Sequence, residues 1–344
     1  MGMAVSDLMD NEFYKYKSFK YVAYDALWVI MMLYGSVAAL YYVISAADLL
    51  MDLFVRDPVS FEKYGANEGH WAVVAGCTDE VGKEMALQLA DKGFNLMLLA
   101  PDSTQLQSLE KIVAAKGRSV RCLTIDFAGC SESDWQALRD LVAQEQVSVL
   151  VNNTSVCHAA PTFFDEEDQS LCDKIVEANV TSTMNITRIV VPQMQARSNG
   201  LIINMGSFTA MRSMPFLSVY AGSKGFVKTF SQSLAYELEP QGIMVSYVFG
   251  LADVARMFGR SDYSATNPAP ALYVQSVFDR LGLKCGAPES HTTIPYSPHS
   301  ILNFVSSCLW DPMHAKPVYY SIGRSMYQYG KRQATSHSTV RAAS

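Results

Sequence analysis

The hydropathy pattern begins with a long apolar run near the N-terminus. From Ala26 to Ala47 the chain carries no charge, and Asp25 and Asp48 bound the run. A helix of this length rises about 33 Å, which exceeds the ~30 Å hydrocarbon core of a bilayer. Tyrosine and tryptophan cluster toward both ends, as at membrane interfaces. We therefore predict a retained membrane anchor, with a signal peptide and a buried core helix as alternatives.

Beyond a short linker, β-rich apolar runs alternate with stretches of helical spacing. The predicted strands are HWAVVAG (70–76), FNLMLLA (94–100), SVRCLTID (119–126), VSVLVNN (147–153), GLIINMG (200–206) and GIMVSYVFG (242–250). Nearly continuous apolar strands that alternate with helices predict a parallel sheet covered on both faces. The predicted fold class is α/β, a doubly wound parallel sheet of the Rossmann type with an N-terminal membrane-anchoring helix.

Composition removes several function classes. The net charge is −6 and the 27 Lys and Arg residues form no basic stripe, which argues against nucleic-acid binding. The seven cysteines are odd in number and have no CxxC or histidine-interleaved spacing. We therefore expect neither a disulfide framework nor a metal site.

Two motifs point to chemistry at the carboxyl edge of this sheet. The turn VAGCTDEVGKE follows the first strand and contains Gly76 and Gly82, where such folds receive the phosphates of a dinucleotide. The stretch SVYAGSK places Tyr220 and Lys224 on one face of a helix. A nearby lysine cation lowers the pKa of a tyrosine, which makes the phenol a usable acid near neutrality. Tyr220 can then pass a proton to the oxygen of a carbonyl group. Ser207, after the strand LIINM, can hydrogen-bond the same oxygen.

These motifs resemble the short-chain dehydrogenase/reductase family. Within it, the chain is similar to the membrane-bound very-long-chain 3-oxoacyl-CoA reductases and their hydroxysteroid dehydrogenase relatives. The similarity runs through FEKYGANEGHWAVVAG, VSVLVNN, INMGSF, SVYAGSKGFVKTFSQSLAYEL and KCGAPESHTTIPYSPHS, over two-thirds of the chain. The resemblance implies reduction of 3-oxoacyl-CoA to 3-hydroxyacyl-CoA in fatty acid elongation, with NADPH or, alternatively, NADH, in the endoplasmic reticulum membrane.

The resemblance also assigns roles by position. Ser207, Tyr220 and Lys224 match the catalytic serine, tyrosine and lysine, and Asn179 matches the asparagine that holds a proton-relay water. The implied cofactor-binding residues are Gly76, Thr78, Glu80, Val81, Gly82, Asp126, Asn153, Tyr220 and Lys224. Asp126 matches the aspartate that touches the adenine.

The chain departs from the family pattern mainly on the cofactor side. Glu80 replaces the second glycine of the phosphate turn, and a carboxylate about 5 Å from a phosphate would weaken binding roughly a hundredfold at an effective dielectric near 20. Pro101 replaces the arginine of NADPH-dependent relatives, and Ser155 replaces the glycine of Asn-Asn-x-Gly. Gly250 and Ala255 replace a proline and a threonine near the nicotinamide.

Three other residues bear on the site. Lys83 can draw the carboxylate of Glu80 outward along the helix surface. Asp102 is a candidate for contacting the cofactor ribose. We expect His158 at the pocket rim, with a solvent-facing hydrogen bond.

The sequence predicts five parts. They are an N-terminal segment (1–24), a membrane anchor helix (25–56), a dinucleotide-binding and catalytic core (61–254), a substrate cover with a second candidate membrane contact (255–330) and a flexible tail (331–344). In the cover, HSILNFVSSCLW (299–310) is apolar but too short to span a bilayer upright, which predicts an interfacial helix or a wall of the acyl tunnel.

The functional hypothesis is an active reductase with two alternatives. One is a catalytically inactive subunit with a structural or binding role in a membrane complex, and the other is a hydroxysteroid dehydrogenase. The expected partners are a long-chain acyl-CoA or another lipid carbonyl compound, the membrane, and a second copy of the chain or other members of a membrane complex.

Overall fold

The computed structural model describes residues 2–158, 160–250, 262–309 and 316–343. It divides into two compact units, Met1–Leu50 and Met51–Ser344. The division falls inside the predicted anchor of residues 25–56, because Asp52 and Leu53 are already buried in the second unit.

The first unit consists of helix α1 (Gly2–Phe54) up to Leu50. Its segment Tyr21–Phe54 is long and apolar enough to cross a membrane, with a mean hydropathy of 1.9. The large apolar side chains from Tyr21 to Ile44 are exposed: Trp28 is 63% and Leu33 is 62% accessible. The alternative of a buried core helix is therefore wrong for this segment.

The second unit alternates strands with helices. Its strands are β1 (Trp71–Ala75), β2 (Asn95–Ala100), β3 (Val120–Thr124), β4 (Val147–Asn152), β5 (Gly200–Met205), β6 (Ile243–Val248) and β7 (Thr292–Thr293). Its helices are α2 (Glu80–Asp91), α3 (Ser103–Ala115), α4 (Glu132–Ala143), α5 (Gln169–Val176), α6 (Ser182–Arg197), α7 (Ser218–Leu238), α8 (Pro270–Phe278), α9 (Ser297–Leu309) and α10 (Lys316–Ala343).

The seven strands form one parallel sheet in the order β3-β2-β1-β4-β5-β6-β7. The order reverses between β1 and β4, so the loops that follow these strands diverge and leave a crevice at the carboxyl edge. The doubly wound parallel sheet predicted from the sequence is confirmed. The added strand β7 was not predicted, because two residues carry no readable alternation.

Hydrophobic clusters cover both faces of the sheet. On one face, Val74 and Leu98 pack with residues of α2, α3 and α8, and all of these core side chains are buried. On the other face, Val73 and Leu150 pack with residues of α4, α6 and α7. Because both faces are covered, the strands read as continuous apolar runs.

Helix α10 includes the segment that was predicted as the C-terminal tail. Residues 331–343, expected to be a flexible tail, continue helix α10. This helix is attached to the second unit further upstream, since Met326 is fully buried and packs with Leu217. An anchored helix can extend through the following residues because Lys, Arg, Gln and Ala are good helix formers.

Candidate active site

The side chain of Lys224 lies at the centre of the site. Helix α7 places Tyr220 and Lys224 on successive turns, and the two side chains are buried, with 0% and 3% exposure. The Lys224 Nζ atom lies 5.9 Å from the centroid of the Tyr220 ring. The same ammonium donates long hydrogen bonds to the carbonyl oxygens of Met205, at 3.4 Å, and Thr154, at 3.5 Å. It thus joins α7 to the ends of β4 and β5.

Ser207 follows β5 and is held from two sides. Its backbone N–H donates to the hydroxyl of Tyr247 at 3.1 Å. Its Oγ atom accepts hydrogen bonds from the backbone N–H of Thr209 at 3.3 Å and from the Thr209 hydroxyl at 3.0 Å. Because a serine oxygen that accepts two hydrogen bonds keeps its own proton to donate, Ser207 is suited to bind a carbonyl oxygen.

Asn179 lies in a π-helical turn, Glu177–Thr181, between α5 and α6. Its side-chain Oδ1 accepts from the backbone N–H of Val156 at 2.7 Å. Its Nδ2 donates to the carbonyl of Val156 and to the hydroxyl of Ser223, both at 2.9 Å. The side chain therefore ties the loop after β4 to helix α7. Such π turns occur frequently at functional sites.

The structure brings the four predicted catalytic residues to one edge of the sheet. Lys224 bonds to Met205, two residues before Ser207, while Ser223 links Asn179 to the turn that carries Tyr220. An acid, a hydroxyl donor and a cation in this arrangement can protonate and orient a carbonyl group.

Gly76 and Gly82, the two glycines that remain in the phosphate turn, are required by the packing of the turn itself. Gly76 has φ +77°, and a Cβ atom there would lie 2.8 Å from the carbonyl oxygen of Asn153. A Cβ atom on Gly82 would lie 2.0 Å from the carbonyl oxygen of Gly76. Asn153 closes the turn by donating from Nδ2 to the Gly76 carbonyl at 2.9 Å and to Asp79 Oδ1 at 3.0 Å.

The side chain of Glu80 does not occupy the phosphate turn. It is the first residue of α2 and its side chain is exposed, with no left-handed backbone that would require glycine. Asp79 caps the helix instead, accepting the N–H of Gly82 at 2.6 Å. Across the described residues, no ion pair joins Glu80 to Lys83, so the predicted outward pull is not observed. An acidic residue in the first turn is favourable for the helix dipole.

The other predicted cofactor residues lie just after the carboxyl ends of β1, β2 and β3. Thr78 is partly exposed and Val81 is buried, both around the phosphate turn. Asp126 is exposed just past the end of β3, where its Oδ1 accepts the N–H of Ala128 at 3.1 Å. Asp102 caps α3 through the N–H groups of the next turn. Ala255 lies outside the described residues.

His158 differs from its prediction. Instead of facing solvent at the rim, it is only 6% exposed, and its Nδ1 lies 2.5 Å from Glu167 Oε2. The segment around Glu167 folds back over the loop after β4, which buries both side chains.

Sequence reasoning missed Tyr247, which supports both catalytic elements. Its hydroxyl accepts the Ser207 N–H and donates to the carbonyl of Lys224 at 3.3 Å. Burial raises the pKa of Tyr247, so the phenol keeps the proton that it donates. In the sequence this tyrosine is one aromatic residue in an apolar strand, and nothing there separates it from core. Thr209 was also missed, because nothing in the sequence separates it from a threonine with only a structural role.

Within the described part of the chain, no group of three or more His, Cys, Asp or Glu side chains could hold a metal ion. The functional groups that the fold brings together at this edge are the hydroxyl, amide and ammonium groups of the residues above.

Comparison with known proteins gives consistent matches. The short chain dehydrogenase family profile matches residues 70–255. A very-long-chain 3-oxoacyl-CoA reductase of Meyerozyma guilliermondii is 36% identical over 272 residues, covering 76% of this chain and 80% of the relative. The reductase of the same name from Debaryomyces hansenii is 37% identical over 273 residues, covering 76% and 79%.

Solved structures share the fold at low identity. A 7β-hydroxysteroid dehydrogenase superposes with a TM-score of 0.61 at 16% identity, over 79% of this chain and 98% of that chain. A short-chain dehydrogenase from Sphingobium yanoikuyae in complex with NADPH gives a TM-score of 0.57 at 21% identity, over 70% and 94%.

Replacing Tyr247 with Phe tests its positioning role. The variant loses one hydroxyl that satisfies two buried backbone groups, so we expect the free energy of unfolding to fall by about 1–3 kcal/mol. We expect kcat to fall more than KM rises, because Ser207 loses its fixed position while the binding surfaces stay. Chemical denaturation and steady-state kinetics measure both effects.

Tyr64→Phe is the matched control for that variant. Tyr64 is equally buried, but its hydroxyl donates to a weak acceptor, Met244 Sδ, at 3.5 Å, away from the catalytic elements. It should leave kcat unchanged. Equal kcat for Tyr247→Phe and the wild type would show that Tyr247 is only a core residue.

Replacing Glu80 with Gln tests whether its charge opposes the cofactor phosphates. Because Glu80 is exposed, water screens its charge, and we expect NADPH to bind about five- to tenfold more tightly to the variant at low salt. Fluorescence titration measures the dissociation constant. Glu68→Gln, an exposed residue before β1 at the opposite edge of the sheet, should change nothing. An unaltered constant for Glu80→Gln would mean that its carboxylate lies away from the phosphates.

Proposed function

Because this chain belongs to the short-chain dehydrogenase family, we propose that it is an NAD(P)H-dependent reductase of 3-oxoacyl-CoA, forming 3-hydroxyacyl-CoA in fatty acid elongation. Relatives that carry the name very-long-chain 3-oxoacyl-CoA reductase align with three-quarters of the chain or more. They support this substrate over a steroid.

The observation that carries the proposal is the linked, buried set of Ser207, Tyr220, Lys224 and Asn179. A buried ammonium is costly unless hydrogen-bonded, and the bonds from Lys224 to two backbone carbonyls are long, while its Nζ atom lies near the Tyr220 ring. A site of this kind suits a cation that must also favour a developing phenolate. Four residues with only a structural role would not need a buried cation beside the tyrosine.

Each residue then has a distinct part in the reaction. Tyr220 gives its proton to the 3-oxo oxygen, and Ser207 donates a hydrogen bond to the same oxygen and orients it. Lys224 favours the resulting phenolate by its charge. Asn179, in the π turn, would hold the water molecule through which a proton returns from solvent to Lys224 and Tyr220, as the resemblance implies.

We propose that a nicotinamide dinucleotide binds at the crevice on the carboxyl edge of the sheet. Gly76 and Gly82 keep side chains out of the turn, and Val81 and Asn153 are buried beside it. When bound, the cofactor supplies the hydride that adds to carbon 3. Glu80, Thr78 and Asp126 would border the phosphates and the adenine. We propose NADPH as the principal cofactor on the resemblance to the reductases, with NADH as the alternative that Pro101 leaves open.

An apolar cluster next to Tyr220 supports a long-chain substrate. Leu217 and Met326 are buried, and Met214, Cys157 and Ile322 pack against them. This cluster joins the loop before α7, the loop after β4 and helix α10, and we propose that the acyl chain lies along these elements.

The exposed apolar helix supports a location in a membrane, which we propose to be that of the endoplasmic reticulum. Segment Tyr21–Phe54 has the length and composition of a span. A substrate with a very long acyl chain partitions into bilayers, so an anchored enzyme meets it where it accumulates.

The proposal is tested by Tyr220→Phe in the full-length protein in detergent. We expect kcat for 3-oxoacyl-CoA to fall about 10²–10⁴-fold, since the proton donor is lost. The dissociation constant for NADPH should be nearly unchanged. Tyr236→Phe, on the same helix but 60% exposed, is the matched control and should keep full activity.

Two outcomes would contradict the proposal. Absence of saturable binding of both NADPH and NADH by the wild type would favour the inactive subunit. Reduction of a steroid ketone with no reduction of 3-oxoacyl-CoA would favour the hydroxysteroid dehydrogenase.

A further inference from the structure

Helix α9 presents an apolar face to its surroundings. Its sequence, SPHSILNFVSSCL, contains no Asp, Glu, Lys or Arg. Ile301, Leu302 and Val305 are 49%, 53% and 44% exposed, and Cys308 is also exposed. The positions 301, 305 and 308 follow helical spacing, so they form one stripe. His299 and Ser300 are buried and hold the other side of the helix to the fold.

Two hydrogen bonds connect α9 to the C-terminal end of helix α1, just after its charge-free run. Asp52 is 4% exposed, and its Oδ2 accepts the backbone N–H of Cys285 at 2.9 Å. The next residue, Gly286, accepts a hydrogen bond from Asn303 Nδ2 of α9 at 3.1 Å. Asp52 and α9 are therefore parts of one connected region of the second unit.

The position of Asp52 along the chain limits its distance from the bilayer. The charge-free run ends at Ala47, and Asp52 lies four residues after Asp48. The five residues from Ala47 to Asp52 reach at most about 18 Å in any conformation. Given the proposed span, Asp52 and the part of α9 around Asn303, which is linked to it through Cys285 and Gly286, lie close to the membrane surface.

The chain beside Asp52 continues the apolar surface. Phe54 and Val55 are 74% and 63% exposed, although they belong to the folded second unit. Exposed aromatic and aliphatic side chains next to a membrane segment are suited to the boundary between headgroups and acyl chains.

We propose that α9 lies in the membrane interface as a second lipid contact, with Ile301, Leu302, Val305 and Cys308 directed into the bilayer. This inference rests on the proposed membrane span. At 13 residues the helix is about 20 Å long, too short to cross a ~30 Å hydrocarbon core, so it lies along the surface. The contact fixes the orientation of the folded unit on the membrane.

Lipid quenching of a fluorescent label tests this contact. An environment-sensitive label is attached in detergent to Cys308 or, in a matched sample, to Cys122, which is exposed on β3. In each sample the other exposed cysteine and the partly exposed Cys130 and Cys157 are replaced by Ser. The full chain is then reconstituted into phosphatidylcholine vesicles that contain nitroxide lipids.

We expect the label at Cys308 to be quenched several-fold more than the label at Cys122. Quenching should be strongest for nitroxides about 5–10 Å below the surface. Equal quenching at both sites would overturn the proposal, as would strongest quenching by nitroxides at the bilayer centre. Energy transfer between labelled copies, without quenching by lipid, would assign the face to a second copy of the chain and also overturn it.

Substitutions on α9 provide the second readout. Val305→Glu, on the apolar stripe, should remove most of the quenching at Cys308, whereas Ser307→Glu, exposed off the stripe, should preserve it. Both variants should unfold at the wild-type temperature in detergent, because both side chains are on the surface.

Flotation of the wild type with the vesicles tests the span by itself. A chain that does not float would contradict the proposed membrane anchor. A chain that floats without quenching at Cys308 would contradict only the role of α9.

Discussion

The buried ammonium group of Lys224 is the constraint on which the site depends. A charge removed from water needs hydrogen-bond acceptors, and the carbonyl oxygens of Thr154 and Met205 provide them at the ends of neighbouring strands. Helix α7 must therefore dock at the carboxyl edge of the sheet, and this placement sets the position of Tyr220. Tyr247 strengthens the same docking, since its hydroxyl bonds to both Ser207 and the backbone of Lys224.

The glycine pattern of the phosphate turn serves two separate requirements, one of the fold and one of the phosphate that the turn would bind. The fold itself needs Gly76 and Gly82, because a Cβ atom at either position would collide with backbone. Position 80 has no such requirement, since it is an exposed first residue of a helix. A glutamate there is compatible with the architecture, so its charge would act only on the phosphates of a bound cofactor. This explains how the motif can change at one glycine while the turn keeps its shape.

The sequence was sufficient for the sheet and for the residues that carry local patterns. Strands β1 to β6 lie within the apolar runs that predicted them, and the spacing of Tyr220 and Lys224 placed both on one helix face. The sequence could not reveal contacts between distant segments. Tyr247 reads as core until the fold brings it to Ser207, and Glu167 is not a visible partner of His158.

The π turn at Asn179 has a consequence for how this region tolerates change in length. Such a turn contains one residue more than a regular α-helical turn, and each residue rotates an α-helix by about 100°. Loss of a single residue there would restore an ordinary helix and swing the asparagine amide away from Val156 and Ser223. The sheet would remain intact, so the chain would fold with its loop and its catalytic helix uncoupled. Insertions and deletions in this segment are thus constrained by angular register rather than by the hydrophobic core.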